Sequence, residues 1–448
     1  MDGVFDPEII RQISAPLVPA NREFAADYPG ERADRQPVHT VYGGAHLFKA
    51  DIAKRLGDAA LQTLKAYAPR PAAFARALGL AGGAGFHATL YARVAEKLAR
   101  EPVEDYRIDF EDGYGNRPDP EEDGHADACA AEMARGLESG RLPPFTGIRV
   151  KPLSDELAAR SLRTLDRFVS GLASATGGRL PPNFVVTLPK VTRPEQVTAL
   201  VDALARLERA HHLEPGLLRL ELMIETPQSV IDARGEIVIP ALVGAARGRC
   251  RGAHFGTYDY TAGLNITAMH QLPSHPACDF ARHVMQVSLA GTGVRISDGA
   301  TTVMPVAPHR AAPGGKLTAS QRQANLRALH YAWKVHYDDV RSSLRNAYYQ
   351  GWDLNPGQLP TRYAAVFAFF LEARAEAAAR LKRFVERAAQ ATLLGSVFDD
   401  AATGQGLLNF FLRGVNCGAL TEAEALATGL TLEELRGRSF VKILAARR

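Results

Sequence analysis

Eight short apolar segments, each ending in polar or charged residues, constrain the fold of this 448-residue chain more than any other feature. Between them lie helical patterns, such as residues 50–68 and 194–213, in which apolar residues recur at helical spacing. Regular alternation of strand and helix is typical of a parallel sheet, and eight units favour a closed barrel over an open sheet. The segments are VHTVYGG (38–44), YRIDFED (106–112), TGIRVKPL (146–153), FVVTLPKV (184–191), LRLELMIET (218–226), GAHFGTYDY (252–260), GVRISDGA (293–300) and GWDLNP (351–356).

The domain organisation predicted from this pattern is a TIM barrel of the (β/α)₈ type with a C-terminal helical extension. Residues 1–37 form an N-terminal extension, residues 38–375 the barrel, and residues 376–448 a helical segment that covers the site or mediates oligomerisation. A long helical pattern at 364–392 connects the last two parts. No GxGxxG motif follows a predicted strand, which argues against a dinucleotide-binding fold.

Composition narrows the class of protein. The net charge is only +4, and like charges form no long block, so binding to nucleic acid is disfavoured. No apolar run reaches 18 residues, so we expect no membrane span, and the first residues do not resemble a signal peptide. The four cysteines show no CxxC spacing, which favours a reducing compartment. We therefore predict a cytoplasmic protein.

Charged residues at the C-terminal ends of the predicted strands indicate where the site lies. In this fold those ends surround the active site. Glu225 ends strand five and Asp259 ends strand six, and two carboxylates that stay ionised in a partly dry pocket need a cation between them. Either carboxylate alone is more often a helix cap or an ion-pair partner, so the prediction depends on their occurring together. Mg²⁺ suits a site with only two protein carboxylates, and Mn²⁺ is the alternative.

Seven segments also resemble motifs of a known family, in the order in which that family has them. They are IDFEDGYG (108–115), GIRVKPL (147–153), TLPKV (187–191), LMIETPQSVID (222–232), HFGTYDYTAGL (254–264), GWDLNPGQLP (351–360) and GSVFDDAATG (395–404). The family is that of the citrate lyase β-subunit-like proteins, also called the HpcH/HpaI aldolase superfamily. Malyl-CoA lyases belong to it and malate synthases are more distant relatives.

The resemblance implies roles for individual residues. Glu225 and Asp259 would bind Mg²⁺, and Arg149 would contact a carboxylate or enolate oxygen of the substrate. The acidic pair Glu111 and Asp112 would hold metal-bound water or orient the arginine.

Three further site residues are predicted. Asp399, or Asp400 with a one-residue slip, would be the acid/base, often reaching into a neighbouring subunit. From their positions after strands four and six, Lys190 and Gly256 are candidate substrate contacts; Gly256 is equally well explained as a turn glycine.

The function predicted is that of a Mg²⁺-dependent carbon–carbon lyase or aldolase, acting through a metal-held enolate on a 2-oxo acid or hydroxy acid. Whether the substrate is a CoA thioester stays open, because the strand-one segment YGGAHLFKAD (42–51) lacks the family's arginine and offers only Lys49. A first alternative is a phosphoenolpyruvate- or pyruvate-handling phosphotransfer enzyme, in which Lys151, Lys190 and Arg117 would hold the phosphate. A second is a barrel that binds a metabolite without catalysis.

We also predict a homo-oligomer, a trimer or hexamer. The apolar residues Leu407, Leu408, Phe410 and Phe411 need a surface to bury against, and either another subunit or the chain's own barrel would provide it.

Overall fold

Eight parallel strands occupy the eight apolar segments in the computed structural model, which describes residues 4–32, 34–386, 392–394, 397–399, 401–437 and 443. Each strand is short, and all but the strand at residues 295–297 are almost entirely buried, as expected for strands covered on both faces. The strands, β1 to β8, are His39–Gly44, Asp105–Asp109, Phe145–Arg149, Phe184–Leu188, Arg219–Ile224, Cys250–Phe255, Arg295–Ser297 and Gly351–Asp353.

The sheet closes on itself as a barrel. The strand order is β7-β6-β5-β4-β3-β2-β1-β8, with every neighbouring pair parallel. An isolated parallel bridge between Ala300 and Trp352 joins the end of β7 to β8 and completes the ring. The predicted (β/α)₈ barrel is therefore confirmed. All C-terminal strand ends meet at one end of the barrel, which we call the mouth, and all N-terminal ends meet at the other, which we call the base.

Helices surround the barrel and extend beyond it. The helix α8 shows why these segments are helical: Pro194 is tolerated in the first turn, and its apolar residues Val197, Leu200, Val201 and Leu204 form one buried face. The helices, α1 to α17, are Pro7–Ser14, Leu17–Asp27, Ile52–Tyr67, Pro71–Leu78, Ala84–Arg100, Asp119–Glu138, Ala158–Thr176, Pro194–Ala210, Pro227–Val230, Ile239–Ala245, Thr257–Gly263, Pro276–Leu289, Ala319–Arg345, Leu359–Glu386, Ala401–Asn416, Glu422–Leu426 and Leu432–Gly437. An antiparallel hairpin of β9 (Thr392–Leu394) and β10 (Val397–Asp399) lies between α14 and α15.

The C-terminal helices fold back on the same chain. Leu408 and Phe411 of α15 are fully buried, and the rings of Phe410 and Phe370 are 5.0 Å apart, which places α15 against α14. The apolar run in α15 is therefore covered by the same chain. This agrees with the second interpretation given above, in which the run packs on its own chain and not on another subunit. The homo-oligomer remains a prediction. Helix α14 crosses the boundary predicted at residue 375, which also remains a prediction.

The segment between α2 and β1 crosses the base of the barrel. The backbone N–H of Gly30 donates to the carbonyl of Gly291 at 2.8 Å, and the side chain of Gln36 donates to the carbonyl of Ile296 at 3.1 Å. Helices α1 and α2, which precede it, bury no side chain. Because the segment between α2 and β1 is hydrogen-bonded to the base, its charged residues lie at the N-terminal ends of the strands.

None of the helices in the described part of the chain combines the length and the apolarity needed to cross a membrane. The four cysteines are all buried and unpaired.

Candidate active site

A cavity of about 580 Å³ opens at the mouth of the barrel. Residues from seven of the eight strands or the turns after them line it, and five of the predicted site residues are among these. The barrel thus brings together side chains that are up to 147 positions apart in the chain. The five are Asp112, Arg149, Glu225, Gly256 and Asp259.

Arg149 is held in one orientation by a carboxylate on the neighbouring strand. Its Nε donates to Asp109 Oδ1 at 2.7 Å and its Nη2 to Asp109 Oδ2 at 2.5 Å, while Nη1 lies 3.1 Å from Glu111 Oε2. The guanidinium also lies over the ring of Tyr42, 4.8 Å from its centroid. Burial alone would lower the pKa of Arg149, but Asp109 outweighs burial and the net pKa is raised. The arginine is therefore a fixed, permanent positive charge.

Asp109 was not among the predicted site residues, although it is the most direct partner of Arg149. It also accepts hydrogen bonds from the backbone N–H groups of Glu111 and Gly113, at 3.0 and 2.7 Å, and so shapes the turn after β2. The sequence shows only that Asp109 is one of three acidic residues near the end of the second apolar segment, and its relation to Arg149 depends on the strand register. Asp109 and Arg149 end adjacent parallel strands and are paired in the register.

Lys190 connects the acidic residues of the mouth. It adopts a left-handed backbone conformation, with φ of 48°, which disfavours a non-glycine residue by about 1 kcal/mol. Its backbone N–H donates to Glu225 Oε1 at 2.7 Å, and its ammonium donates to Glu111 and, at 3.0 Å, to Asp112. The ammonium lies 3.4 Å from Asp259. Burial opposes the charge, but Glu111 and the other carboxylates outweigh it and raise the pKa of Lys190.

Glu225 is the carboxyl at the mouth whose surroundings suit an ionised form least. It is 1% exposed, and burial followed by the charge of Asp259 raises its pKa to about 8. Only Oε1 is hydrogen-bonded, since no donor among the described residues reaches Oε2. A Cβ at Gly256 would lie 2.4 Å from that oxygen, so the glycine provides the room that Glu225 needs. The position of Gly256 is thereby explained without a ligand.

The donor set fits a hard divalent cation with few protein ligands. In the residues that the structure describes, no three side chains of His, Cys, Asp and Glu form a ready metal cage. Among the described residues Glu225 Oε2 has no hydrogen-bond donor, and the Asp259 side chain, 40% exposed, has only the 3.4 Å contact to Lys190. Two carboxylate oxygens, with water and substrate oxygens, match what Mg²⁺ accepts. Asp259 is also the residue whose negative charge opposes ionisation of Glu225.

Aromatic side chains form part of the wall of the cavity beside Arg149. Tyr42 of β1 and Trp352 of β8 pack with their rings 5.0 Å apart, and both line the cavity. The hydroxyl of Tyr42 is buried and has no partner in the described part of the structure. These aromatic residues were not predicted. They limit the access of water to Arg149 and strengthen its electrostatic effect.

The remaining predicted residues are placed as follows. Asp400 lies outside the described residues, and Asp399 is described only as the last residue of β10, paired in register with Thr392. Lys49, the possible replacement for the strand-one arginine, lies 3.2 Å from Glu132 of α6. Glu111 is buried beside Lys190, and burial raises its pKa despite the nearby cations. For Asp112, Lys190 and Arg149 outweigh the effect of burial and lower the pKa.

Comparison with known proteins gives the family. Residues 17–443 match the model of a family described as a domain of unknown function, DUF6986. The chain belongs to this family. None of the curated proteins matches this DUF6986 member.

Solved structures resemble it at the level of the fold. A citrate lyase from Burkholderia xenovorans LB400 matches with a TM-score of 0.54 and 16% identity, over 91% of this chain and 97% of that one. A malate synthase from Haloferax volcanii, in complexes with pyruvate and acetyl-CoA and with magnesium and glyoxylate, matches with TM-scores of 0.44 and 0.45 and 14% identity. These two matches cover 93% and 91% of this chain and 99% of the other. The likeness to the citrate lyase shows a shared fold, whereas the malate synthase scores are too low to support a conclusion.

Proposed function

We propose that this member of the DUF6986 family is a Mg²⁺-dependent carbon–carbon lyase or aldolase that acts on a 2-oxo acid or hydroxy acid. One observation carries the proposal. The buried carboxyl of Glu225 has one oxygen that no donor in the described part of the chain reaches, and it lies beside Asp259 and the fixed guanidinium of Arg149. Such a site has a position for a cation and, next to it, a positive charge for an anionic intermediate.

Glu225 and Asp259 would hold the Mg²⁺. When bound, the ion supplies Lewis-acid chemistry for an oxygen of the substrate. Residues of the chain would bind the substrate, stabilise the enolate and move the proton. Lys190, whose ammonium already lies among three carboxylates, would exchange part of this contact for the carboxylate of the substrate.

Arg149 would stabilise the enolate oxygen that develops when a bond beside the carbonyl forms or breaks. Because Asp109 holds the Nε and Nη2 edge of the guanidinium through two hydrogen bonds, the charge is in place before the reaction and needs no reorientation. A preorganised donor of this kind contributes roughly 3–4 kcal/mol to transition-state stabilisation.

The proton would be moved by Asp399 or Asp400, as the sequence resemblance implies. Both precede α15, and they remain the proposed acid/base. Glu111 and Asp112 would position Lys190 and Arg149, because each lies within 4.0 Å of both cations. We also propose that the enzyme is a homo-oligomer, as the sequence resemblance implies, and that it is cytoplasmic, as its cysteine usage suggests.

The phosphotransfer alternative receives less support from the cations that it would need. The Lys151 ammonium is buried and donates to the carbonyl of Phe110 at 2.6 Å and to Glu122 at 2.7 Å. Arg117 pairs with Glu121 at 2.5 Å. Two of the three residues expected to hold a phosphate are thus satisfied by the chain itself. The fold shared with a citrate lyase also favours the lyase, although it supports the architecture more than the chemistry.

The test is exchange of solvent deuterium into the carbon beside the carbonyl of pyruvate and other 2-oxo acids, with and without Mg²⁺, followed by NMR. Acyl-CoA thioesters are then added singly to find a partner for bond formation. We expect exchange that depends on Mg²⁺ and is lost in Asp259→Asn. Phosphate release from phosphoenolpyruvate without such exchange would instead favour phosphotransfer. Failure of every acid to exchange, in protein shown to bind the metal, would contradict the proposal.

A further inference from the structure

A second cavity, of about 320 Å³, lies at the base of the barrel, at the opposite end from the candidate active site. Arg219 and Arg295 begin β5 and β7, and Arg251 is the second residue of β6, so three neighbouring strands each place an arginine there. A fourth, Arg32, comes from the segment that crosses the base. The volume is in the range of small-molecule sites.

The carboxylates that line this base cavity are already paired. Asp34 lies 2.8 Å from Arg295 and 3.0 Å from Arg32. Asp105 and Glu221, deeper in the barrel, both accept from the same Nη2 of Arg107 at 2.8 Å. Glu221 is shared further with His254, at 3.1 Å. Among these carboxylates only Oδ1 of the buried Asp105 lacks a hydrogen-bond partner in the described residues, and none of the three lies within ion-pair distance of Arg219 or Arg251.

Two arginines of the base cavity have no carboxylate partner in the described part of the chain. Arg219 makes one long hydrogen bond, 3.4 Å, to the carbonyl of Gly248, and Arg251 makes neither a hydrogen bond nor an ion pair with any residue that the structure describes. Burial, together with the charges of Arg32 and Arg219, lowers the pKa of Arg251 to about 10. Asp34 offsets only part of the repulsion on Arg251, so the closeness of these like charges is unfavourable and an anion would relieve it.

Arg107 gives a second, independent indication. It is completely buried and lines the base cavity, yet its Nε and Nη1 have no hydrogen-bond partner among the described residues. A buried guanidinium N–H without an acceptor is costly and commonly marks a place for water or a ligand.

We infer that the base cavity is a binding site for a small, multiply charged anion bearing phosphate or several carboxylates. The planar fork of Arg219 and of Arg251 matches both groups, and two free forks in one cavity favour a dianion over a single carboxylate. The site is separate from the mouth, so it is independent of the proposed lyase chemistry. Because both ends belong to one barrel, occupancy here would stabilise the strands that carry the active site.

The test is isothermal titration of the full chain at low ionic strength, after removal of divalent metals, with inorganic phosphate and, separately, with tricarballylate. Metal-free protein keeps the mouth from contributing a metal-bridged site. We expect at least one of the two anions to bind, with thermal stabilisation of roughly 3 °C at saturating concentration. Whichever binds more tightly identifies the chemical source of the charge.

Variants locate the binding. Arg219→Gln and Arg251→Gln should each weaken the anion about tenfold or more, while Arg76→Gln, on an exposed face of α4, should leave the Kd unchanged. A cooperative unfolding transition without anion shows that each variant is folded. Unchanged Kd values in both cavity variants, or no binding of either anion to the wild type, would overturn the inference. Equal thermal stabilisation by chloride at matched ionic strength would also overturn the inference, because the stabilisation would then come from general screening of charge and not from binding of a specific anion.

Discussion

The two ends of this barrel carry opposite charge imbalances. At the mouth, five carboxyl groups face two cations; they are Asp109, Glu111, Asp112, Glu225 and Asp259, against Arg149 and Lys190. At the base, arginines are in excess, and Arg219 and Arg251 have no carboxylate partner in the described residues.

The same physical cause acts on both ends with opposite sign. Burial penalises the charged form of any group, so it raises the pKa of Glu225 at the mouth and lowers that of Arg251 at the base. Each end would be relieved by a ligand of the opposite charge, a cation at the mouth and an anion at the base. The difference indicates that an uncompensated buried charge specifies the sign of what binds beside it.

The largest effect is expected from Arg149→Lys. Lysine keeps the charge but loses the planar fork that Asp109 holds, so enolate stabilisation should fall and deuterium exchange should slow by roughly 100-fold or more. The rate is measured by NMR with saturating Mg²⁺, beside Arg160→Lys as a control on the outer helix α7. Near-normal exchange in the Arg149 variant would make this arginine structural.

The next effect concerns Glu225→Gln and pH. The folded-state pKa of about 8 lies above the ordinary value of 4.5, so between these values the folded protein holds a proton that the unfolded chain releases. Stability of the metal-free wild type should therefore fall as pH rises from 5 to 8. Glutamine removes this loss and should stabilise the protein by on the order of 2 kcal/mol at pH 8. Urea unfolding at pH 5 and pH 8 measures the stability of the wild type and of Glu225→Gln, with the exposed Glu236→Gln as the control. The same pH dependence of stability in the wild type and in Glu225→Gln would count against the raised pKa.

A smaller effect is expected from Lys190→Met. The ammonium balances Glu111, Asp112 and Asp259 but is 28% exposed, so its loss should destabilise metal-free protein by only about 1 kcal/mol at pH 8. Mg²⁺ should recover part of this stability, because a second cation then occupies the same acidic region. Urea unfolding with and without Mg²⁺ is compared with Lys54→Met, an exposed residue of α3. A variant as stable as the wild type without metal would show that the mouth needs no cation.

The smallest effect is expected at the base. Arg251→Gln removes one charge from a set of like charges, so it should raise the stability of anion-free protein by about 0.5 kcal/mol at low ionic strength. The gain should disappear in 1 M NaCl, where screening acts within about 3 Å. Unfolding by urea, which adds no ions, measures the difference from the wild type. Destabilisation by this substitution would show that Arg251 has a structural partner.

The fold and part of the site followed from the sequence because they depend on local patterns. All eight strands were located by apolar runs, and Arg149, Glu225 and Asp259 by charges that end those runs. The site residues that were missed depend on pairing between elements. Asp109 acquires its importance from its register with Arg149, and Trp352 from the closure of the barrel by the bridge to Ala300.

The cluster of arginines at the base was not predicted from the sequence, for a related reason. Arg219, Arg251 and Arg295 are 32 and 44 residues apart in the chain and form no charge block, so the sequence shows only scattered arginines. Their common position at the N-terminal ends of neighbouring strands appears only when the sheet order is known. The segment that adds Arg32 and Asp34 is fixed by tertiary contacts rather than by any periodic pattern.

The most direct measurement of whether the mouth holds a divalent cation is a titration of the full chain with Mn²⁺, followed by electron paramagnetic resonance. We expect one Mn²⁺ per chain, displaced by Mg²⁺, with binding lost in both Glu225→Gln and Asp259→Asn and retained in Arg251→Gln at the base. Affinity should rise with pH, since the metal must displace the proton from Glu225. Absence of binding to the wild type, or equal affinity in the wild type and both carboxylate variants, would contradict a metal site between these two residues.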